Sequence, residues 1–233
     1  IIEDASHAIG GRYKGAPIGN CRYSEMTVFS FHPVKIITTG EGGMALVNDL
    51  VLANQMTRLR SHGITRDAAE MTHAPDGPWY YQQIELGYNY RMTDIQAALG
   101  LSQMNKLDAF IEKRHAVATR YNEMLEGLPV TRPYQHPATY SALHLYIVRL
   151  QLNQIPVDHA TVFDRMRADG IGVNLHYIPI HLQPYYQRLG FRKGDFPNAE
   201  QYYAEAISIP MYSALSLEQQ NQVVDSLRRS ISK

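Results

Sequence analysis

The residues best placed to do chemistry lie in Ser30-Phe31-His32-Pro33-Val34-Lys35 and in Thr38-Thr39-Gly40-Glu41-Gly42-Gly43, which follows closely. A lysine is ordinarily a solvated surface group. This one follows an apolar strand-like run and precedes a glycine-rich turn, where backbone must pass close to something. A lysine there can be desolvated, its amine pKa lowered, and so made nucleophilic toward a carbonyl. The glycines do not form a nucleotide phosphate loop, because the lysine precedes them and no Gly-Lys-Ser/Thr follows. Asp4, in Glu3-Asp4-Ala5-Ser6-His7-Ala8, closes the opening apolar run. An aspartate at a strand end is commonly a turn former or helix cap. It can also hold a pyridinium nitrogen protonated, so that the ring accepts electrons from a carbanion. Neither residue decides alone; Asp4 and Lys35 with Ser30 between them are much more specific.

These groups need elements to position them. Thr27–Phe31 and Gly43–Val47 read as short strands, and Leu52–Arg60 as a helix with Leu52, Met56 and Leu59 on one face. Ile1-Ile2-Glu3-Asp4 reads as a buried strand. Thr93 and Gln96 form a capping-box pair, after which apolar positions recur from Ile95 to Leu128, predicting one long connecting helix ended by Gly127 and Pro129. The pattern then changes. Ala142–Leu152 and Gly172–Ile180 read as strands, Asp158 as the cap of a helix that Gly170 ends, and Ser216 with Gln219 as the start of a last amphipathic helix. The expected organisation is a larger α/β region over 1–127 and a small α+β domain over 128–233.

Composition narrows the function classes. The 233 residues are 45% hydrophobic, and Lys+Arg 22 balances Asp+Glu 22, which leaves no electrostatic footprint for nucleic acid or an anionic membrane. The single cysteine, Cys21, fits a reducing, cytoplasmic setting and lacks a basic partner other than Arg22. His176 and His181, five apart on an expected strand, would face opposite sides, so metal binding is not expected.

Together, Glu3–Ala8, Ser30–Lys35, Gly40–Gly43, Leu59-Arg60-Ser61-His62-Gly63, Gly87-Tyr88-Asn89-Tyr90-Arg91-Met92-Thr93-Asp94 and His176-Tyr177-Ile178-Pro179 resemble the DegT/DnrJ/EryC1/StrS family of sugar aminotransferases. The resemblance runs the length of the chain in order. It implies the pyridoxal-phosphate-dependent transferase fold type I (aspartate aminotransferase-like), here a partial large domain plus the small α+β domain. It also implies pyridoxal 5'-phosphate as cofactor, bonded by Lys35, which would then serve as general base and acid. Asp4 would pair with the ring nitrogen, Ser6 lie near the ring face, His7 approach the ring hydroxyl, and Ser30 bind the phosphate. Asn89 would reach the cofactor of a neighbouring subunit, so the resemblance implies a homodimer with shared sites. Tyr88, Arg91 and His176 would contact substrate, with Arg91 on a substrate phosphate or donor carboxylate; Tyr88, Tyr90 and Trp79 read equally as core or interface aromatics.

Within the family, Pro78-Trp79-Tyr80-Tyr81, Val173–Tyr186 and Gly194-Asp195-Phe196-Pro197 resemble members of the pseudaminic acid pathway. The implied reaction transfers an amino group from glutamate to carbon 4 of a UDP-linked 4-keto-6-deoxy-N-acetylhexosamine. Another nucleotide-sugar aminotransferase of the same family is the alternative. Dehydrating relatives carry histidine at the lysine position, so Lys35 favours amino transfer. The resemblance also implies that members begin upstream of Ile1, so the chain is expected to be an N-terminally incomplete piece that alone could lack activity.

Overall fold

A computed structural model describes residues 1–232. The chain divides into two compact units, Ile1–Leu107 with Ala138–Tyr140, and Asp108–Pro137 with Ser141 onward.

In the first unit, strand β1 (Ile2–Asp4) runs parallel to a later strand, and β2 (Arg12–Tyr13) and β3 (Ala16–Pro17) form a small hairpin. Strand β4 (Met26–Ser30) is central, with β1 on one side and antiparallel β5 (Gly43–Leu46) on the other. Thr27 and Phe29 point inward from β4, and the Thr27 hydroxyl donates to Glu3 Oε2 at 2.9 Å. The opening strand is present but not buried: as a sheet edge it leaves Ile2 71% exposed. Helix α1 (Leu50–Leu59) starts two residues earlier than the apolar pattern indicates, because the Asp49 carboxylate accepts from the Leu52 amide at 2.9 Å. Strands β6 (Ile64–Thr65) and β7 (Gln82–Gln83) pair antiparallel. Helix α2 (Asp94–Met104) opens on the expected Thr93–Gln96 capping box.

The single long helix is not formed. Helix α2 stops at Met104, and α3 (Leu107–Met124) begins after a break at Asn105–Lys106. The Asn105 and Lys106 amides both turn back to the Gln103 carbonyl, Lys106 at 2.9 Å, tightening the last turn until it closes.

From Asp108, α3 packs with the second unit. That unit adds β8 (Val130–Thr131), and the short β9 (Thr139–Tyr140) belongs instead to the first, beside β2. The second sheet is completed by β10 (Tyr146–Leu150) and, late in the chain, a strand over Ala206–Ile209. Alternate β10 residues Tyr146, Val148 and Leu150 are buried, as a one-sided strand requires. They meet Val117, Tyr121 and Leu125 of α3 in one core. Helix α4 (His159–Ala168) is capped by Asp158 as expected, its carboxylate accepting from Thr161 at 2.8 Å, and contributes Val162 and Met166 to the core.

Gly172–Ile180 does not form the expected strand. Only Asn174 bridges Ser208, exchanging two backbone hydrogen bonds of 3.1 and 2.8 Å. Pro179 has no amide to donate, and a 3₁₀ turn over Ile180–Leu182 leads into α5 (Pro184–Gln187). His181 therefore sits buried in a turn, its Nε2 2.9 Å from Glu200 of α6 (Pro197–Glu205). The paired histidine and the Gly194 amide hold the Glu200 carboxyl below the usual carboxylate range. The strand Ala206–Ile209, β11, follows directly, and α7 (Leu217–Ser230) closes the unit on the expected Ser216–Gln219 capping box.

That box serves two otherwise orphaned amides, Ser216 and Gln219. Ser216→Ala should destabilise the second unit by about 1 kcal/mol. A shift of the denaturant midpoint without a change in slope is the expected reading.

Candidate active site

Phe31 organises the segment that carries Lys35. Its amide donates to the Gly42 carbonyl at 2.8 Å, and its carbonyl accepts from the Thr39 amide at 3.0 Å and the Thr38 hydroxyl at 2.9 Å. Residues 31–42 are thereby closed into a loop at the end of β4. Gly42 has φ +157°, and a Cβ there would lie 2.3 Å from Thr39 Oγ1, so the turn has no room for a side chain. Lys35 sits mid-loop, its amide donating to His32 O at 2.9 Å. Ile36 and Ile37, immediately after it, are 6% and 1% exposed and anchor the loop in the first unit's apolar interior.

The amine of Lys35 forms no hydrogen bond or ion pair among the described residues. Burial pushes its pKa below the ordinary lysine value, and the Asp4 charge pulls it partly back up. Asp4 arrives through the parallel pairing of β1 with β4, register Asp4 opposite Val28. Its Oδ1 accepts from the Ser6 hydroxyl at 2.6 Å and the Ser6 amide at 3.1 Å. Those two bonds, then His7 and Lys35, hold the carboxyl below its usual range. Asp4, Ser6, His7 and Lys35 thus form one electrostatic group. Ser30, the last residue of β4, accepts from the His32 amide at 3.4 Å, and its hydroxyl hydrogen is directed to no acceptor among the described residues. An ionised carboxylate, a desolvated primary amine and a free hydroxyl donor are the set that a phosphorylated pyridine aldehyde requires, so the residues present fit that group.

A second cluster forms where two backbone segments cross. The Tyr88 amide donates to Leu59 O at 2.7 Å, the His62 amide to Tyr88 O at 2.8 Å, and the Tyr90 amide to Arg60 O at 2.9 Å. A Cβ on Gly87 would lie 2.1 Å from the Gly63 nitrogen, so that crossing demands glycine. Arg58 braces it by pairing with both Glu85 and Glu70. The arrangement holds Asn89 opposite Ser61 and leaves its side chain exposed. Tyr88 and Tyr90 stack at 4.7 Å, both exposed, so neither is a core residue of this chain. Arg91 lines a concavity with Ser61, Ile64, Arg66 and Tyr81. Arg66 was not singled out in the sequence, and Tyr81 entered only within Pro78-Trp79-Tyr80-Tyr81, not as a site residue; the β6–β7 pairing that brings them together has no local signature. Neither Asn89 nor Arg91 is hydrogen-bonded to Asp4, Ser30 or Lys35 among the described residues.

His176 belongs to the second unit, where its Nδ1 lies 2.7 Å from Ser208 Oγ and its ring meets Tyr177 edge-on at 4.6 Å. It is positioned by the Asn174–Ser208 bridge rather than by a strand of its own. Among the described residues, no three His, Cys, Asp or Glu side chains gather as a metal ion would require, and no helix is long and apolar enough to cross a membrane.

Comparison with known proteins places this geometry. Residues 1–228 match the DegT/DnrJ/EryC1/StrS aminotransferase family, and the chain belongs to it. It is 38% identical over its whole length to the uncharacterised protein MJ1066 of Methanocaldococcus jannaschii, covering 60% of that protein. It is 34% identical over 97% of its length to the UDP-4-amino-4,6-dideoxy-N-acetyl-beta-L-altrosamine transaminase of Campylobacter jejuni, covering 57% of it. Among solved structures, it superposes on Helicobacter pylori PseC, an aminotransferase involved in the biosynthesis of pseudoaminic acid, with TM-score 0.88 and 30% identity over 99% of this chain and 59% of that one. The Streptococcus pneumoniae protein Spr1654, named as a sugar aminotransferase, matches in its PLP-form with TM-score 0.87 and 28% identity over 99% of this chain and 57% of that one. The fold is accordingly the mixed α/β fold type I of pyridoxal-phosphate enzymes. The chain spans about 60% of the length of the relatives it matches.

The electrostatic influence of Asp4 on Lys35 makes a signed prediction. Asp4→Asn removes the anion that favours the charged amine, so the Lys35 pKa should fall further. The pH profile of Lys35 labelling by an aldehyde reagent, followed by peptide mapping, should move to lower pH. An unchanged profile would show that the two groups do not interact.

Proposed function

We propose that the protein transfers an amino group from glutamate to carbon 4 of a UDP-linked 4-keto-6-deoxy-N-acetylhexosamine, as in pseudaminic acid biosynthesis. The reading rests on one observation above the others: a partly buried Lys35 amine on the loop leaving β4, within electrostatic reach of an Asp4 carboxylate fixed by Ser6 on the paired strand β1, in a chain of this aminotransferase family. The similarity to the Campylobacter UDP-sugar transaminase supports the substrate class, and that to Helicobacter PseC supports the pathway.

In this reading residues 1–127 are part of the large cofactor-binding domain, ending in the connecting helix, and residues 128–233 are the small domain. Pyridoxal 5'-phosphate, when bound, supplies the carbonyl and the electron-accepting ring. Lys35 Nζ would hold that carbonyl and, as general base and acid, would take the proton from the carbon that bears the donor's amine. Asp4, kept ionised by Ser6, holds the ring nitrogen protonated. Ser6 would lie near the ring face, and His7 would approach the ring hydroxyl. Ser30 donates to the phosphate. Asn89, exposed on the braced crossing, serves the cofactor of a second copy in a cytoplasmic homodimer. Tyr88, Arg91 and His176 contact the nucleotide sugar or the glutamate.

Adding pyridoxal phosphate should produce a new absorbance band that Lys35→Ala abolishes. Glutamate and a panel of UDP-4-keto sugars should then yield a 4-amino product from the N-acetylhexosamine substrate. A band indifferent to Lys35 contradicts the cofactor role, and amination only of a differently configured or differently carried keto sugar overturns the substrate.

A further inference from the structure

The concavity lined by Ser61, Ile64, Arg66, Tyr81 and Arg91 encloses about 410 Å³ within the first unit. Two guanidinium groups share it, and neither Arg66 nor Arg91 forms an ion pair among the described residues. The nearby carboxylates are engaged elsewhere. Glu85 pairs with Arg58. Glu70 pairs with Arg58 at 3.0 Å and accepts from the Thr65 hydroxyl at 2.7 Å. Asp67, on the rim of the adjoining hollow, accepts from the Ala69 amide at 2.9 Å. Two uncompensated like charges beside one hollow repel each other unless an anion lies between them.

The hollow is also held in shape. Its walls come from both crossing segments, tied by the Ser61–Asn89 bridge and the β6–β7 pairing. The Ile64 amide donates to Ser61 O at 3.2 Å. A Cβ on Gly63 would lie 1.8 Å from Glu85 O, so backbone packs on backbone directly behind the pocket. The Arg66 guanidinium lies 5.7 Å from the centre of the Tyr81 ring, a cation–π contact that orients the fork while leaving its edge to donate.

We infer that this pocket is a phosphoryl-binding site, in which Arg66 and Arg91 grip the diphosphate of a nucleotide ligand from two sides with Tyr81 holding Arg66 in place. One bidentate fork already occupies both oxygens of a carboxylate, whereas a diphosphate presents enough oxygens for two forks. The inference rests on the nucleotide-sugar reading above and extends it to Arg66, Tyr81 and Ser61.

The test is calorimetric titration of the protein with UDP, inorganic pyrophosphate and glutamate. Arg66→Gln and Arg91→Gln should each weaken UDP and pyrophosphate binding by roughly tenfold, the loss expected of a charge-assisted hydrogen-bonding pair. Arg66→Lys should recover only part of the loss, because the charge returns without the fork, and Tyr81→Leu should weaken UDP binding by a few-fold. Arg66 is exposed and forms no hydrogen bond among the described residues, so its substitution leaves the fold intact. UDP affinity within about twofold of the parent in an Arg66→Gln/Arg91→Gln protein would overturn the inference. So would a loss confined to glutamate. If the Lys35-dependent absorbance band persists while UDP binding is indifferent to both arginines, only this inference fails; if the band itself is missing, the aminotransferase reading fails first.

Discussion

The site depends on the parallel pairing of β1 with β4. Two adjacent parallel strands end at the same edge of a sheet, and groups carried just beyond their carboxyl ends converge there. With Asp4 opposite Val28, the carboxylate on β1 is brought to the loop that leaves β4, and that loop carries Lys35. Slipping the register by one residue would turn Asp4 to the opposite face and leave the lysine without its anion. The loop needs its own restraint, supplied by the Phe31 backbone bonds and by Ile36 and Ile37 behind the lysine. Burial there lowers the amine pKa, while Asp4 limits how far it falls.

A different device positions the second cluster. The 59–63 and 87–91 segments are tied by backbone hydrogen bonds and packed at two glycines, with Arg58 locking the carboxylates behind them. Arg58 satisfies Glu70 and Glu85 and so leaves Arg66 and Arg91 uncompensated. One buttressing ion-pair network therefore shapes the cluster and also determines where free positive charge remains.

Much of this was legible in the sequence wherever the cause was local. The capping residues Thr93, Asp158 and Ser216 act on amides three positions away, and each helix start follows. Lys35, Asp4, Ser30 and the glycine turn could be named as candidates from residue type and order, and only in combination. What depended on distant partners was not legible. The apolar recurrence from Ile95 to Leu128 continues through Asn105, yet the helix breaks there because α3 belongs to another core. Gly172–Ile180 has strand composition but only one bridging partner, Ser208. Arg66 and Arg91 are twenty-five positions apart in the sequence and share a hollow only through the crossing that Gly63 and Gly87 permit.

The central claim is that Lys35 is the group that bonds to the cofactor. Borohydride reduction of the protein in the presence of pyridoxal phosphate, followed by peptide mass mapping, tests it directly. The account predicts the pyridoxyl mass on the peptide containing Lys35, and its loss in Lys35→Ala with no other lysine taking its place. Labelling spread over Lys14, Lys106 and Lys113, with Lys35 unmodified, would contradict it.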